Sequence, residues 1–138
     1  MTVELTGEVL IEGEASGIAL VLDEPLSFWG GFDPMTGKII DVHHPQYGQP
    51  VTDRILFIPQ SRGSAGTPGG IAETLRNGSG PLAFVLGEPD VNIGVGVMVA
   101  NQLYAMQVPV LQIPLETMRG IHSGDAVAVT REGELSVG

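Results

Sequence analysis

The second half of the chain alternates short apolar runs with stretches of helical pattern, and this alternation limits the fold more than any other feature. The runs at 55–58, 82–86 and 108–113 are typical of buried strands, while 68–76 and 91–106 carry helix signals. Strands and helices that alternate in this way predict a βαβαβ unit, with a parallel sheet and right-handed crossovers. We therefore predict an α/β fold.

The first third of the chain is rich in strand signals. Aliphatic runs occur at 8–13 and 17–22, a third candidate strand covers 26–32, and a fourth covers 38–42. The sequence at 33–37 contains proline, which fixes φ, and glycine, which accepts a positive φ, so it predicts a turn. We expect these N-terminal strands to pair antiparallel.

The C-terminal segment predicts a β-hairpin. An alternating strand ends at Thr130, a turn occupies 131–134, and 135–137 can pair back. We find no internal repeat, linker or low-complexity segment, and 138 residues suit one domain. We expect residues 1–138 to form a single domain, in which a β-rich N-terminal part is followed by the βαβαβ unit and C-terminal strands.

Composition and charge exclude several classes of function. The formal net charge is −10, from 16 acidic against 6 basic residues, so the surface repels nucleic-acid phosphates. Cysteine is absent, which removes disulfides and the usual ligands of an iron–sulfur cluster from this sequence. The apolar run at 93–100 is far shorter than the roughly 20 residues that span a bilayer. No secretory signal is visible, so we expect a cytoplasmic protein.

The chain is more apolar than most soluble domains. Its mean hydropathy is +0.23, and 16% of its residues are charged, where about 25% is typical. A sheet buried on both faces would explain this excess, and so would a permanent subunit interface.

A glycine-rich segment at 60–70 connects a predicted strand to a predicted helix. Such a turn gathers backbone N–H groups at the positive end of a helix dipole, which favours an anion. Thr67 before Pro68 matches an N-cap followed by proline at the first helical position. Ser64 and Arg62 would lie beside these donors, so a carboxylate or phosphate could be held facing a hydroxyl. On this short motif alone, an ordinary strand-to-helix turn explains the serine better.

We predict structural roles for the other polar candidates. His43 and His44 are adjacent, so on a strand they would point to opposite faces, and no third ligand lies at a useful local spacing. We therefore expect loop hydrogen bonding rather than a metal site. Asp33 and Asp41 are predicted to be turn and surface carboxylates, and His122 is predicted to be structural.

Phe28 and Trp29 are predicted to pack in the core, because aromatic side chains bring large apolar areas and need no chemistry to explain them. Contact with a partner is the second interpretation. The neighbouring Gly30 and Gly31 would let another backbone approach closely.

The sequence contains five separated blocks that can be compared with known families, at 25–34, 37–41, 43–45, 61–64 and 86–90. Together they resemble the small, swivel-domain subunit of the aconitase X family. The resemblance covers most of the chain and implies a swivelling β/β/α fold and a hydro-lyase. It also implies that an iron–sulfur cluster is carried by a large subunit or a larger fused domain, and the absence of cysteine here agrees with that division.

The resemblance implies roles for the glycine-rich segment. In the wider aconitase superfamily, a serine after glycine in the swivel domain abstracts the proton next to a carboxylate, and Ser64 matches that position. Arg62 is implied as a contact to the substrate anion. Aconitases continue with a second serine and an arginine, whereas this chain continues with Ala65 and Gly66. The remaining predicted substrate contacts are Gly63, Ala65, Gly66 and Thr67.

The resemblance implies dehydration of cis-3-hydroxy-L-proline or, as an alternative, of mevalonate 5-phosphate. In either case the chain would be inactive without its large subunit and would bind no metal itself. A third possibility is a non-catalytic module that binds a small anion. A phosphohistidine carrier is disfavoured, because none of the three histidines lies in the glycine-rich turn.

Overall fold

The computed structural model describes residues 2–28, 30–61 and 66–138, so Trp29 lies outside the described residues. Within these residues the chain forms ten strands and three helices. The strands are β1 (Val3–Thr6), β2 (Glu8–Ile11), β3 (Ala15–Val21), β4 (Phe32–Asp33), β5 (Lys38–Ile39), β6 (Arg54–Ile58), β7 (Ala83–Leu86), β8 (Val110–Gln112), β9 (Ala126–Val129) and β10 (Glu134–Val137). The helices are α1 (Thr67–Arg76), α2 (Val91–Tyr104) and α3 (Leu115–Met118).

The predicted βαβαβ unit is confirmed in β6, α1, β7, α2 and β8. Its three strands are parallel, with Leu56 opposite Phe84 and Phe84 opposite Val110. β3 adds a further parallel strand beside β6. The carboxyl ends of these four strands therefore lie at the same end of the sheet, where open α/β sheets usually bind their ligands.

The eight-stranded sheet has the order β1-β10-β9-β3-β6-β7-β8-β2. β1 and β2 occupy its two outer positions, yet only Gly7 separates them in sequence. The N–H of Gly7 donates to the carbonyl of Gly133 at 2.8 Å, and a Cβ at Gly7 would lie 3.2 Å from the carbonyl oxygen of Gln112. The sheet therefore curls until its outer strands meet at Gly7, as in a closed barrel.

Both faces of the central strands are buried. Alternate side chains such as Ala19, Ile55 and Val85 fill the interior of the curled sheet together with apolar residues from the other strands. Their neighbours on the opposite face, such as Leu20 and Leu56, pack under α1 and α2. This two-sided burial accounts for part of the high hydropathy of the chain.

Helix α2 accounts for another part of the high hydropathy of the chain. The helix carries no charged residue, and Val91, Met98 and Leu103 are 79%, 58% and 66% exposed. Soluble proteins rarely expose several large apolar side chains along one helix. Among the described residues, no helix is both long enough and apolar enough to cross a bilayer.

The N-terminal strands differ from the prediction in extent. β2 and β3 replace the predicted strands at 8–13 and 17–22, and β1 was not predicted. Within the candidate at 26–32, only Phe32 is in a strand, because the backbone turns at Gly30, where φ is +92°. β4 and β5 are short and pair antiparallel around the predicted turn.

The pairing of the N-terminal strands also differs from the prediction. β1 and β2 do pair antiparallel, but with β10 and β8. β3 runs antiparallel to β9 and parallel to β6, so the expectation of purely antiparallel pairing was wrong for this strand. Its neighbours are decided by the closure of the sheet, which brings together segments that are distant in sequence.

The remaining predicted elements are present with small changes. α2 ends at Tyr104 rather than at Met106, because Ala105 adopts a left-handed conformation with φ +52°. α1 ends where predicted, with Asn77 as the C-cap and Gly78 at φ +74°. The C-terminal hairpin is confirmed in β9 and β10, whereas α3 was not predicted.

Candidate active site

The structure describes both ends of the glycine-rich segment but not its middle. The segment leaves the carboxyl end of β6 and enters α1 through Gly66. The predicted catalytic Ser64 lies outside the described residues, so its role stays a prediction. The same holds for three predicted substrate contacts, Arg62, Gly63 and Ala65.

α1 begins one residue earlier than predicted. Gly66 is the N-cap, and its carbonyl accepts a hydrogen bond from the N–H of Gly70 at 3.1 Å. Thr67 is therefore the first residue of the helix, and among the described residues no side chain caps this end. The prediction of Thr67 as the N-cap was wrong, because Gly66 takes helical dihedral angles of φ −82° and ψ −11°. The first turn contains no acidic residue, so its own side chains leave the positive helix dipole uncompensated.

The hydroxyl of Thr67 is buried next to this helix end. The residue is 1% exposed, and its Oγ1 has no hydrogen-bond partner within the part of the chain that the structure describes. A buried polar group left unpaired costs about 1–3 kcal/mol, so such groups are uncommon. This hydroxyl is thus available to a ligand or to the neighbouring glycine-rich segment.

One wall beside the helix end is formed by the segment that contains Phe28. A Cβ at Gly70 would lie 2.2 Å from the carbonyl oxygen of Phe28, so this segment touches the first turn of α1. The ring of Phe28 is buried and contacts Phe32 edge-on, with 5.5 Å between ring centroids, which confirms the predicted core packing. A groove of about 640 Å³ lies along this wall and reaches Glu73.

A second cleft, of about 460 Å³, lies at the carboxyl ends of β3 and β6. Its polar lining comes from three separate segments and includes Gln60, at the start of the glycine-rich segment. His122, predicted to be structural, also lines it, and its backbone N–H donates to Asp125 at 2.9 Å. The other charged or hydroxyl-bearing residues around this cleft are Asp23, Arg119 and Ser123.

Two buried polar side chains hold the segment that follows β3. Nε2–H of His44 donates to the carbonyl of Glu24 at 2.9 Å, while its Nδ1 accepts from the N–H of Gln46 at 3.1 Å. The side chain of Gln46 donates to the carbonyl of Val21 at 2.7 Å and accepts from the N–H of Asp23 at 3.0 Å. The predicted loop hydrogen bonding is confirmed for His44, and it anchors one rim of the cleft.

The smaller predicted roles are also confirmed. Asp33 accepts hydrogen bonds from the N–H of Met35 and the hydroxyl of Thr36, as expected for a turn carboxylate. Asp41 accepts from the N–H of His43 at 2.9 Å. Within the described residues, no group of three or more His, Cys, Asp or Glu side chains is placed to hold a metal ion.

The block at 86–90 has a structural explanation next to the site. A Cβ at Gly87 would lie 2.5 Å from the carbonyl oxygen of Pro59, so glycine permits close contact between the ends of β6 and β7. Asp90 caps α2, because its side chain accepts from the N–H groups of Asn92 at 2.9 Å and Ile93 at 3.2 Å. This block therefore supports the frame around the glycine-rich segment.

Sequence reasoning did not single out Asp23, Gln46 or Arg119. Asp23 directly follows a predicted strand, but that strand was expected to pair antiparallel. Only the observed parallel pairing of β3 with β6 places Asp23 at a sheet end where ligands commonly bind. Arg119 carried no signal either, since it follows a helix of four residues that the sequence did not predict.

A family model described as the aconitase X swivel domain matches residues 4–137. The chain therefore belongs to this family, and the resemblance inferred from the separated sequence blocks is confirmed. A crystal structure of the holo form of aconitase X from Thermococcus kodakaraensis superposes with a TM-score of 0.86 at 27% identity and covers 98% of both chains. This match confirms the predicted swivel-domain fold.

Two relatives of known designation have a higher sequence identity to this chain than that crystal structure has. The chain is 36% identical to a cis-3-hydroxy-L-proline dehydratase of Hypocrea jecorina over 123 residues, which are 89% of this chain and 21% of that protein. It is 34% identical to the phosphomevalonate dehydratase small subunit of Thermococcus sibiricus over 134 residues, which are 96% of this chain and 97% of that protein. The chain thus spans about a fifth of the first relative and nearly the whole of the second.

Proposed function

We propose that this chain is the small subunit of a hydro-lyase that removes water from a hydroxylated carboxylic acid. The observation that carries the proposal is the placement of the glycine-rich segment in a swivel domain of the aconitase X family. The segment joins the carboxyl end of β6 to a helix end that no described side chain caps, beside the buried hydroxyl of Thr67. Both relatives described above are designated dehydratases.

Ser64 is proposed to take up the proton next to the substrate carboxylate. In the elimination, the C–H bond breaks, its electron pair forms the carbon–carbon double bond, and the hydroxyl leaves from the adjacent carbon. A serine oxygen is a weak base unless its alkoxide is stabilised. Backbone N–H groups at the start of α1 and the guanidinium of Arg62 would provide that stabilisation. Thr67 and the neighbouring backbone at Gly66 are the further proposed contacts to the substrate.

The proposal includes a larger partner. This sequence has no cysteine, so it supplies no thiolate ligand, and its residues do not fit an iron–sulfur cluster. We propose that the partner subunit holds the cluster and that residues 1–138 act as one swivel domain beside it.

The substrate is proposed to be cis-3-hydroxy-L-proline. The support is the designation of the Hypocrea relative, together with the sequence blocks around Phe28 and His44, which resemble the bacterial members of the family. Mevalonate 5-phosphate is the second candidate, because the match to the Thermococcus subunit extends along almost the whole of both proteins.

The test is turnover by the chain assembled with its cluster-bearing large subunit, offered each candidate substrate in turn. Ser64→Ala is expected to lower kcat by at least about a hundredfold, since positioned general bases contribute 10²–10⁴-fold. Ser61→Ala is the matched control and should keep most of the activity. Circular dichroism and co-purification should show that both variants fold and bind the partner.

Unchanged turnover in the Ser64→Ala variant would reject the role of that residue. A stable monomer that binds small anions but neither a partner nor a hydroxy acid would instead support the non-catalytic module. A large, cysteine-containing partner that co-purifies in equal amount supports the dehydratase.

A further inference from the structure

The cleft at the carboxyl ends of β3 and β6 places opposite charges around one small space. Asp23 and Arg119 both line it, together with the apolar residues Leu115, Met118 and Ile121. Its volume of about 460 Å³ lies within the range of small-molecule sites, which is about 300–1,000 Å³.

The two charges are not neutralised by each other. The ion pairs formed between described residues are Glu73–Arg76 and Glu12–Arg131, and neither includes Asp23 or Arg119. Arginine and lysine are scarce in this chain, six residues against sixteen acids. An arginine that faces a cleft without a carboxylate partner in the described structure is therefore available to an anionic ligand.

Buried side chains hold the backbone around Asp23 through hydrogen bonds. Gln46 and His44 are 6% and 5% exposed, and their side chains bond the backbone on both sides of Asp23, at Val21 and Glu24. Buried polar side chains need partners, and these two find theirs in the segment that follows β3. The position of the Asp23 backbone is thus set by the interior of the protein.

Another segment that lines the cleft, the one containing Ser123, is tied to the same strand. The hydroxyl of Ser123 accepts from the N–H of Val21 at 2.9 Å, and the N–H of Gly124 donates to the carbonyl of Ala19 at 3.0 Å. Since the carbonyl of Val21 also accepts from Gln46, the segments that contain Asp23 and Ser123 are connected through one residue of β3. Hydrogen bonds therefore hold the backbone of both segments, which favours a pre-formed site.

We propose that this cleft binds the zwitterionic end of a small amino acid, with Asp23 accepting from its ammonium group and Arg119 donating to its carboxylate. A guanidinium matches a carboxylate through two parallel hydrogen bonds, and the apolar residues of the lining suit a short aliphatic chain or ring. The inference rests on the proposed function in one respect, namely that this amino acid is the substrate. Gln60 lines the cleft four residues before Ser64 in the sequence.

The cleft distinguishes between the two candidate substrates. Cis-3-hydroxy-L-proline carries one positive and one negative charge, which matches the pair of side chains. Mevalonate 5-phosphate carries only negative charges, so Asp23 would repel it. The structure thus favours an amino acid over a phosphorylated hydroxy acid.

The first experiment is calorimetric binding to the assembled two-subunit complex with two probes, L-proline and tetrahydrofuran-2-carboxylate, which replaces the ring nitrogen by oxygen. Asp23→Asn should weaken L-proline binding by about tenfold, the effect of losing one hydrogen bond to a charged group. It should not weaken binding of the oxygen analogue, which is an anion without an ammonium group. Arg119→Gln should weaken both probes. Two substitutions at exposed positions elsewhere are the controls. Glu132→Gln removes a negative charge, as Asp23→Asn does, and Lys38→Gln removes a positive charge, as Arg119→Gln does.

The second experiment measures kinetics of the same complex on cis-3-hydroxy-L-proline. Asp23→Asn should lower kcat/KM by about tenfold, mostly through KM, because the contact exists before the reaction. Dehydration that is unaffected by both variants would overturn the inference and leave the proposed function standing. Binding of L-proline that depends on both residues, without dehydration, would support the inference and reject the function. Turnover of mevalonate 5-phosphate without binding of L-proline would overturn the amino-acid assignment.

Discussion

Gly96 of α2 lies so close to Pro68 of α1 that a Cβ at Gly96 would be 2.9 Å from the Pro68 carbonyl oxygen. It would also be 2.9 Å from the Cβ of Ile71. Contact at this distance is shorter than van der Waals separation and involves backbone, which cannot move aside easily. The glycine therefore sets how closely α2 approaches the helix that begins at the candidate active site.

Gly96→Ala is expected to lower the free energy of unfolding by about 1–3 kcal/mol, as overpacking in a core does. Gly94→Ala is the matched control, because nothing lies within 4 Å of its Cβ position. That substitution should stabilise α2 by about 0.5–1 kcal/mol, the difference in helix propensity. Urea unfolding of both variants measures the two effects. Destabilisation by Gly94→Ala would contradict the open space assigned to the Gly94 position.

Asp90→Ala is expected to destabilise the protein by about 0.5–2 kcal/mol, because it removes the side chain that caps α2. Asp90→Asn should lose much less, since asparagine caps helices about as well. Glu88→Ala removes an exposed carboxylate two residues earlier and serves as the control. Thermal unfolding of the three variants tests this order. Equal losses for Asp90→Ala and Asp90→Asn would argue that charge, not capping, is responsible.

Gln46→Leu is expected to lower the free energy of unfolding by about 1–3 kcal/mol, because the N–H of Asp23 and the carbonyl of Val21 lose their partner. Gln49→Leu, at an exposed position in the same loop, should change stability by no more than about 0.5 kcal/mol. Denaturant midpoints compare the pair. Similar midpoints for both variants would show that the Gln46 hydrogen bonds are replaced by water at little cost.

Arg76→Gln is expected to raise the pKa of Glu73 toward its ordinary value of 4.5. In the native chain, the hydrogen bond from Arg76 and the charge of that residue hold the pKa of Glu73 below 4.5, with a smaller effect from Asn77. The stabilisation from this lowered pKa is present above the pKa of the unfolded chain and is lost as pH falls through the folded value. The variant should therefore lose less stability during acidification below pH 4.5.

The measurement is an NMR titration of the Glu73 side-chain carboxyl carbon in the native chain and in the variant. Lys38→Gln removes a positive charge from a different position and should leave the Glu73 titration where it is. A Glu73 titration that does not move in Arg76→Gln would reject the contact. The effect on overall stability is small, because both side chains are substantially exposed.

The parts of the fold that depend on local pattern could be predicted. The alternation after residue 50 predicts the βαβαβ unit, and the turn residues around Gly37 and Gly133 predict two hairpins that the structure contains. The start of α1 could not be predicted to the residue. Gly66 and Thr67 are both acceptable N-caps in sequence, and the choice between them depends on how the chain leaves β6.

The candidate site also contains features that the sequence predicted and features that only the structure showed. The glycine-rich segment and His44 were visible in the sequence, because unusual local composition marks them. The pairing of Gln46 with the backbone around Asp23, and the placement of Arg119 in the same cleft, join segments that are far apart in the chain. No local pattern contains that information.

The sequence by itself determined the βαβαβ unit, the glycine-rich connection into α1 and the C-terminal hairpin, because periodicity and turn chemistry act between near neighbours. The separated sequence blocks carried the resemblance to the family. Only the tertiary structure decided that β1 and β2 end at opposite sides of the sheet and meet again at Gly7. It also decided that Asp23 and Arg119 share one cleft. The first outcome follows from closing the eight-stranded sheet around a buried interior, and the second from bringing together segments that lie far apart in sequence, so both depend on the whole chain.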